Sequence, residues 1–160
     1  MKNINNSYRK IFLFSFFALM TTLLYAQGKQ AVLKNSIEAR QFIFHAQTAL
    51  PLSGPSRQLS SEYDLNVSEN SIVSYLPFFG RAYSLPYNST EGGFNFTSAK
   101  FDYTSNRGKK GGWEINIKPK DVKGFREFNL SISENGYGTL QVMSNNRQPI
   151  SFTGYVTPVK

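Results

Sequence analysis

The chain has no cysteine and a single histidine, His45, among its 160 residues. Without cysteine it can form no disulfide, thiolate metal site or cysteine nucleophile, and it offers no residue for a bacterial lipid anchor. Small secreted eukaryotic domains more often depend on disulfides, so this absence favours a bacterial exported protein. One histidine alone makes neither a zinc-binding cluster nor a Ser-His-acid triad. We expect His45 to be an exposed strand residue.

Long hydrophobic runs are also missing, apart from a short one near the start. Ile11–Leu24 is uncharged over fourteen residues, follows three basic residues within the first ten and is closed by Ala26. A basic start, a short apolar run and a small residue form a secretory signal, whereas a membrane-spanning helix needs roughly 20 apolar residues. We predict a cleavable signal peptide over residues 1–26, cut before Gln27, and no transmembrane span in the mature chain.

Charge and acidic motifs exclude further function classes. The formal net charge of +8 falls to +5 without the three basic residues of the predicted signal. Basic residues are dispersed except at Arg107–Gly112, which fits a solvated hairpin tip better than an anion site, so we expect no nucleic-acid partner. Glu62 and Asp64 fit solvated surface better than a glycosidase pair, and no nucleotide-binding glycine motif occurs. The sequence predicts no catalytic residues, no metal site and no cofactor.

The mature chain alternates apolar and polar residues over most of its length. Lys29–Arg40 has helical spacing, Pro51–Ser61 contains the breakers of a loop, and turn signals such as Asn135-Gly136 separate the alternating runs. This pattern predicts one mainly β domain over residues 27–160. We expect an antiparallel β-barrel or strongly curved sheet of about eight strands with one short N-terminal helix, and a two-sheet sandwich is the alternative.

Large aromatic side chains dominate the predicted barrel interior. A barrel of eight strands has room for one small ligand or for none, depending on how its interior is filled. Seven residues on the apolar side of the strands look bulky enough to fill it, which counts against an internal ligand: Phe42, Phe44, Phe94, Phe96, Trp113, Phe128 and Phe152.

Two segments are candidates for recognition. The stretch Pro77–Tyr87 combines aromatic rings with an arginine, which suits stacking on a ligand or partner, although such rings also plug barrel ends. The loop Ser144–Gln148 contains an arginine able to bind a carboxylate in a forked geometry, while its Asn145-Asn146 pair suits a tight turn. The candidate ligand- or partner-binding residues are Phe78, Phe79, Arg81, Tyr83, Tyr87 and Arg147.

Several longer stretches carry a resemblance to a known family. They are Ala39–Phe42 with Ala46-Gln47, Tyr75–Tyr83, Gly111–Ile115, Ser133–Tyr137 and Ser144–Phe152. On these motifs, which span nearly the whole mature region, the chain resembles the exported Bacteroidales family known as domain of unknown function 4251. The resemblance implies a β-barrel of lipocalin-type architecture behind a signal peptide, and it implies no assigned activity. The missing cysteine sets this chain apart from members that carry a lipoprotein signal.

These observations rank three functional hypotheses. The first is a non-enzymatic periplasmic or secreted protein, expected to be a monomer, that binds a small apolar ligand. The second is a protein-interaction or inhibitor module of the cell envelope acting through Pro77–Tyr87. The third is an uncharacterised hydrolase, ranked last because no nucleophile, base and metal ligands occur together in a recognisable motif.

Overall fold

The computed structural model describes residues 30–83, 92–108 and 111–159. The predicted signal peptide, residues 1–26, therefore lies outside the described residues. One helix, α1, covers residues 30–38. The strands are β1 (Phe42–Pro51), β2 (Arg57–Val67), β3 (Ile72–Leu76), β4 (Phe94–Ser98), β5 (Phe101–Arg107), β6 (Trp113–Pro119), β7 (Phe125–Ile132), β8 (Tyr137–Ser144) and β9 (Ile150–Pro158).

The nine strands form one antiparallel sheet in which sequence neighbours are also spatial neighbours. The order is β4-β3-β2-β1-β9-β8-β7-β6-β5, so β1 and β9, the first and last strands along the chain, pair with each other. The sheet curls into a nearly closed barrel. This confirms the mainly β prediction and the antiparallel barrel with one short helix. The strands of the described chain belong to a single sheet, which differs from the two-sheet alternative.

The ninth strand arises from a bend. Eight antiparallel pairings separate β4 from β5, so these two strands run in the same direction, and only Ala99 and Lys100 lie between them. They behave as two halves of one bent strand, the first paired with β3 and the second with β6. If these two halves are counted as one strand, the nine strands of the sheet correspond to the eight or so predicted from the alternation.

The carboxylate of Asp121, in the β6–β7 loop, holds this bend in place. Its Oδ1 accepts a hydrogen bond from Ser98 Oγ at 2.5 Å, and its Oδ2 accepts the backbone N–H groups of Ala99 at 2.9 Å and Lys100 at 3.2 Å. The hydrogen bond from Ser98, followed by that from Ala99, lowers the pKa of Asp121 below its ordinary 3.8.

Asp121→Asn is expected to lower the urea midpoint of unfolding at pH 7, because an amide oxygen replaces only part of this acceptor set. A carboxylate whose pKa is lower folded than unfolded stabilises above its unfolded pKa and loses that contribution as pH falls through the folded value. The difference between wild type and variant should therefore shrink below about pH 3.8. A pH series of urea unfolding curves measures it.

Asp102→Asn is the matched control for this experiment. Asp102 lies on β5 beside the same bend and makes an exposed ion pair with Lys120 Nζ at 2.6 Å. Exposed pairs contribute little to stability, so this variant should stay close to wild type. Equal losses in the two variants would contradict the assigned role of Asp121.

The interior is filled by side chains from every strand except β5, which is only half-buried. The largest wholly buried aromatic residues are Phe42, Phe44, Phe128 and Phe152. Strand β6 shows the alternation of buried and exposed residues clearly. Its buried residues are Trp113, Ile115, Ile117 and Pro119, and the residues between them are exposed or half-buried. The predicted aromatic filling is thus observed, with Phe94 and Trp113 also buried and Phe96 half-buried.

Helix α1 covers one end of the barrel, here called the helix end. Its buried residues Leu33 and Ile37 form one stripe, and Tyr103 OH donates a hydrogen bond to the carbonyl oxygen of Ile37 at 3.2 Å. The β2–β3, β5–β6 and β7–β8 turns lie at this end. The opposite end, here called the loop end, carries the β1–β2, β3–β4, β6–β7 and β8–β9 connections.

The predicted loop over Pro51–Ser61 is wrong at both of its ends. Strand β1 continues through Pro51 and β2 already begins at Arg57, which leaves residues 52–56 as the connection. A register shift between Ala46 and Thr48 brings Thr48 opposite Gln58. The first residues of β2 are exposed and polar, so they pair through the backbone without the apolar alternation that reveals a half-buried strand.

Candidate functional site at the loop end

The structure brings five of the six candidate residues to the loop end. Phe78, Phe79, Arg81 and Tyr83 follow β3 in an irregular segment, and Arg147 lies in the β8–β9 loop. A β-bridge joins Ala82 to Arg147, and the two segments exchange further backbone hydrogen bonds on either side of it. The sixth candidate, Tyr87, lies outside the described residues.

The side chain of Arg147 contacts several parts of the loop end. Its guanidinium carbon lies 5.1 Å from the ring centroid of Phe78 and 5.2 Å from that of Phe94. Its Nη1 donates to the carbonyl oxygens of Gly93 at 2.9 Å and Gly92 at 3.3 Å. Burial lowers the pKa of Arg147. Arg147 therefore joins the β8–β9 loop to both sides of the β3–β4 connection, and its Nη2 and Nε donors remain free of partners among the described residues.

The rings beneath Arg147 continue into the barrel as a set that we call the phenylalanine chain: Phe78, Phe94, Phe96, Phe125 and Phe128. Successive ring centroids lie 5.6 Å apart for Phe78 and Phe94, 5.9 Å for Phe94 and Phe125, and 4.5 Å for Phe125 and Phe128. Phe96 packs against both Phe125 and Phe128. These pairs link the loop end to the buried core.

A cleft of about 180 Å³ opens beside Arg147, and we call it the loop-end cleft. It lies between β4, the β6–β7 loop and the β8–β9 loop. Three aromatic residues, Phe94, Phe96 and Phe125, line its apolar part, and the side chains of Lys123 and Arg147 supply two positive charges. The remaining lining residues are Gly93, Asn95, Val122, Gly124, Ser144 and Asn146, so no acidic residue of the described chain lines the cleft.

Four of the predicted residues, Phe78, Phe79, Arg81 and Tyr83, do not line this cleft. Phe79 is covered by the Arg57 guanidinium, 4.8 Å from its ring centroid. The Arg81 side chain is exposed, and its backbone N–H donates to Gln148 Oε1 at 3.3 Å. Tyr83 is 67% exposed. The aromatic segment thus contributes Phe78 to the platform of Arg147, and its other side chains face away from the cleft or toward solvent.

Sequence reasoning missed Lys123, Phe125 and Asn146. The one feature of the sequence that could have pointed to them is Gly124. Its backbone has a positive φ of 75°, and its carbonyl oxygen accepts the backbone N–H of Asn145 at 2.9 Å. A side chain at this position would collide with Asn146, so the glycine permits the close approach of the β6–β7 and β8–β9 loops. That approach places Lys123 and Asn146 on the same cleft.

Replacing Arg147 with lysine is expected to loosen the loop end. A lysine keeps the charge but cannot stack a planar group on two rings while donating to two carbonyl oxygens, and we expect a loss of about 1 kcal/mol of unfolding free energy. Urea denaturation measures the loss, and limited proteolysis should show faster cleavage in residues 77–93. The exposed Arg126→Lys is the control. Equal behaviour of both variants would contradict the clamping role of Arg147.

Titratable groups elsewhere form no metal-binding cluster in the described residues. His45 is half-buried rather than exposed, stacks on Tyr155 with ring centroids 5.0 Å apart and lies with Nε2 3.0 Å from Thr157 Oγ1. Burial raises the pKa of Asp64, partly offset by the nearby His45. No three His, Asp or Glu side chains within residues 30–83, 92–108 and 111–159 come close enough to hold a metal ion.

Comparison with known proteins supports the fold and the family. Within the described segments, no helix has both the length and the apolar character needed to cross a membrane. No curated protein matches the chain significantly. A crystal structure of a DUF4251 family protein from Bacteroides eggerthii is similar, with a TM-score of 0.59 and 15% sequence identity over 81% of this chain and 87% of that chain. The family model described as domain of unknown function (DUF4251) matches residues 25–156, and the chain therefore belongs to the DUF4251 family.

Proposed function

We propose that this chain is an exported, non-enzymatic binding protein whose loop-end cleft takes a small anionic ligand with an apolar or aromatic body. The observation that carries the proposal is the composition of the cleft: three phenylalanine rings beside the cations Lys123 and Arg147, with no acidic lining residue in the described chain. Aromatic rings favour the apolar body of a ligand, and an arginine with donors that have no partner among the described residues favours a carboxylate.

The site lies at the end of the barrel and not inside it. The wholly buried rings of Phe42, Phe44, Phe128 and Phe152 occupy the interior, which argues against the internal apolar ligand considered from the sequence. The cleft of about 180 Å³ is smaller than the roughly 300–1,000 Å³ of pockets for drug-sized ligands. It therefore suits a single ring or a short chain. Export is supported by the signal-peptide pattern of residues 1–26.

The test is titration of residues 27–160 with benzoate, phenylacetate and hexanoate, followed by NMR, with benzamide as the uncharged probe. We expect dissociation constants of roughly 0.1–1 mM for at least one carboxylate and much weaker binding of benzamide. Lys123→Met should weaken carboxylate binding about tenfold without loss of stability, because Lys123 is exposed. Arg147→Met should weaken it further.

Arg40→Met is the matched control, since Arg40 also lies over an aromatic ring, 5.0 Å from the centroid of Tyr103, but at the helix end. It should bind carboxylates as wild type does. Equal binding of benzamide and benzoate, or no binding of any carboxylate, would overturn the proposal.

The second candidate function, a protein-interaction module, is favoured by the exposure of Leu52 at 66% and Tyr83 at 67% at the same end. A Leu52→Ala, Tyr83→Ala double variant that loses an envelope partner in pull-down would support it.

A further inference from the structure

The outer wall of the barrel carries a row of side chains at one level on five adjacent strands. Backbone pairing aligns Tyr75 with Asp64, Asp64 with His45, His45 with Tyr155, and Tyr155 with Tyr137. We call these five residues the tyrosine row. Neighbouring strands lie about 4.8 Å apart, so the row extends about 19 Å along the wall.

The rings of the tyrosine row are available to solvent and partly held in place. Tyr137 is 60% exposed, Tyr75 49% and Tyr155 37%. The His45 ring stacks on Tyr155 with an interplanar angle of 30°, and its Nε2 lies 3.0 Å from Thr157 Oγ1. Packing of this kind fixes the orientation of Tyr155 before any ligand arrives, which reduces the entropy lost on binding.

A second row, made of hydroxyl groups, runs beside the first. Ser131 pairs with Thr139, Thr139 with Thr153, and Thr153 with Thr48. We call these four residues the hydroxyl row. On β8 and β9 its threonines lie two residues from a tyrosine of the first row, a separation of about 7 Å on the same face of the sheet. Rings and hydroxyl groups therefore form two parallel lines on the wall.

A groove of about 430 Å³, which we call the wall groove, lies at the β8–β9 part of these rows, and Tyr137 is the member of the tyrosine row that lines it. Its lining residues are all uncharged: Gln47, Ser131, Ser133, Tyr137, Gly138, Thr139, Thr153 and Gly154. Gly138 and Gly154 pair across β8 and β9, so two residues of the groove present backbone only. The Ser131 hydroxyl donates to Glu114 Oε1 at 2.8 Å, which leaves its lone pairs free to accept.

We propose that the wall groove binds a neutral oligosaccharide. A pyranose ring has an apolar C–H face that packs on an aromatic ring and a hydroxyl edge that both donates and accepts hydrogen bonds. Tyr137 and Tyr155 match the first property, and the hydroxyl row with Gln47 matches the second. The lining residues of the groove carry no charge, which favours a neutral sugar over a charged one, and the paired rings of Tyr137 and Tyr155 extend the aromatic surface beyond a single ring. This site is independent of the loop-end cleft.

The test is titration of isotope-labelled residues 27–160 with maltohexaose, cellohexaose, laminarihexaose and mannohexaose, with a galacturonic acid hexamer as the charged probe. We expect at least one neutral hexasaccharide to shift amide resonances of β8 and β9 with a dissociation constant on the order of 1 mM or below. Tyr137→Ala and Tyr155→Ala should each weaken binding about tenfold, and Tyr137→Phe should retain most of it because the ring face remains.

Val73→Ala is the control, since Val73 is 41% exposed on the wall but belongs to neither row. It should bind as wild type does. Because the substituted tyrosines are exposed, their thermal unfolding should stay close to that of wild type, which separates lost binding from lost folding. The proposal is overturned if no neutral hexasaccharide shifts β8 and β9, if the charged hexamer alone binds, or if both alanine variants bind as tightly as wild type.

Discussion

Replacing Gly154 with alanine is expected to destabilise the barrel by at least about 3 kcal/mol, a large part of the roughly 5–15 kcal/mol that holds a typical domain folded. Gly154 lies on β9 opposite Ala46, next to the register shift of β1. A Cβ atom there would fall well inside van der Waals contact with the carbonyl oxygen of His45. Because the obstacle is backbone, the clash can be relieved only by separating β1 from β9, a pair near the middle of the strand order.

Gly92→Ala is the matched control for this substitution. A Cβ atom at Gly92 has no neighbour within 4 Å, and its backbone does not have a positive φ. Urea unfolding of the two variants should show a large loss for Gly154→Ala and almost none for Gly92→Ala. A Gly154→Ala variant as stable as wild type would mean that β1 and β9 are not held together as closely as the structure indicates.

Phe128→Ala should cost about 3–5 kcal/mol of unfolding free energy, because it removes a wholly buried ring and leaves a cavity in a packed interior. Phe128 also ends the phenylalanine chain, with its ring centroid 4.5 Å from that of Phe125 and 6.0 Å from that of Phe96. The loss should therefore exceed that expected from area alone, since two ring pairs disappear together.

Phe128→Leu separates these contributions. Leucine keeps most of the buried volume but no ring, so we expect a loss below about 1.5 kcal/mol plus the value of the ring pairs. Chemical denaturation of both variants measures the two effects. If Phe128→Ala loses no more than Phe128→Leu, the position relaxes around the cavity and the shared loss comes from the missing ring; if Phe128→Leu is as stable as wild type, the ring pairs contribute little to stability.

Alternation along the strands explains why much of the fold is predictable from the sequence. Strand β6 buries Trp113, Ile115 and Ile117 and leaves the polar residues between them exposed or half-buried, and this period of two is visible in the letters alone. The first half of β2 lacks that signal because Leu59 is its one apolar residue, between Gln58 and Ser60, which are polar and exposed. The β4–β5 bend is equally hidden, since Asp121, which holds it, is distant in the sequence and reaches it only in the folded barrel.

The candidate sites were less predictable, for a related reason. Aromatic composition drew attention to Phe78 and a turn-forming loop to Arg147, and the structure places the two in contact. Lys123 and Phe125 carry no local pattern that assigns them to the loop-end cleft, because the cleft forms where three separate connections meet. The tyrosine row depends wholly on strand register, so Tyr75, Tyr137 and Tyr155 are unremarkable as isolated letters.

The pairing of β1 with β9 also decides how the molecule can be presented to a partner. Phe42 lies opposite Pro158, and the N–H of Val159 donates to the carbonyl oxygen of Gln41, so the strand segments nearest the two chain ends leave the barrel side by side at the helix end. A surface linkage joined directly after Val159 is therefore attached at the helix end of the barrel, opposite the loop end. Immobilised in this way, the protein displays the loop-end cleft outward, and binding measured on a surface should match binding measured in solution.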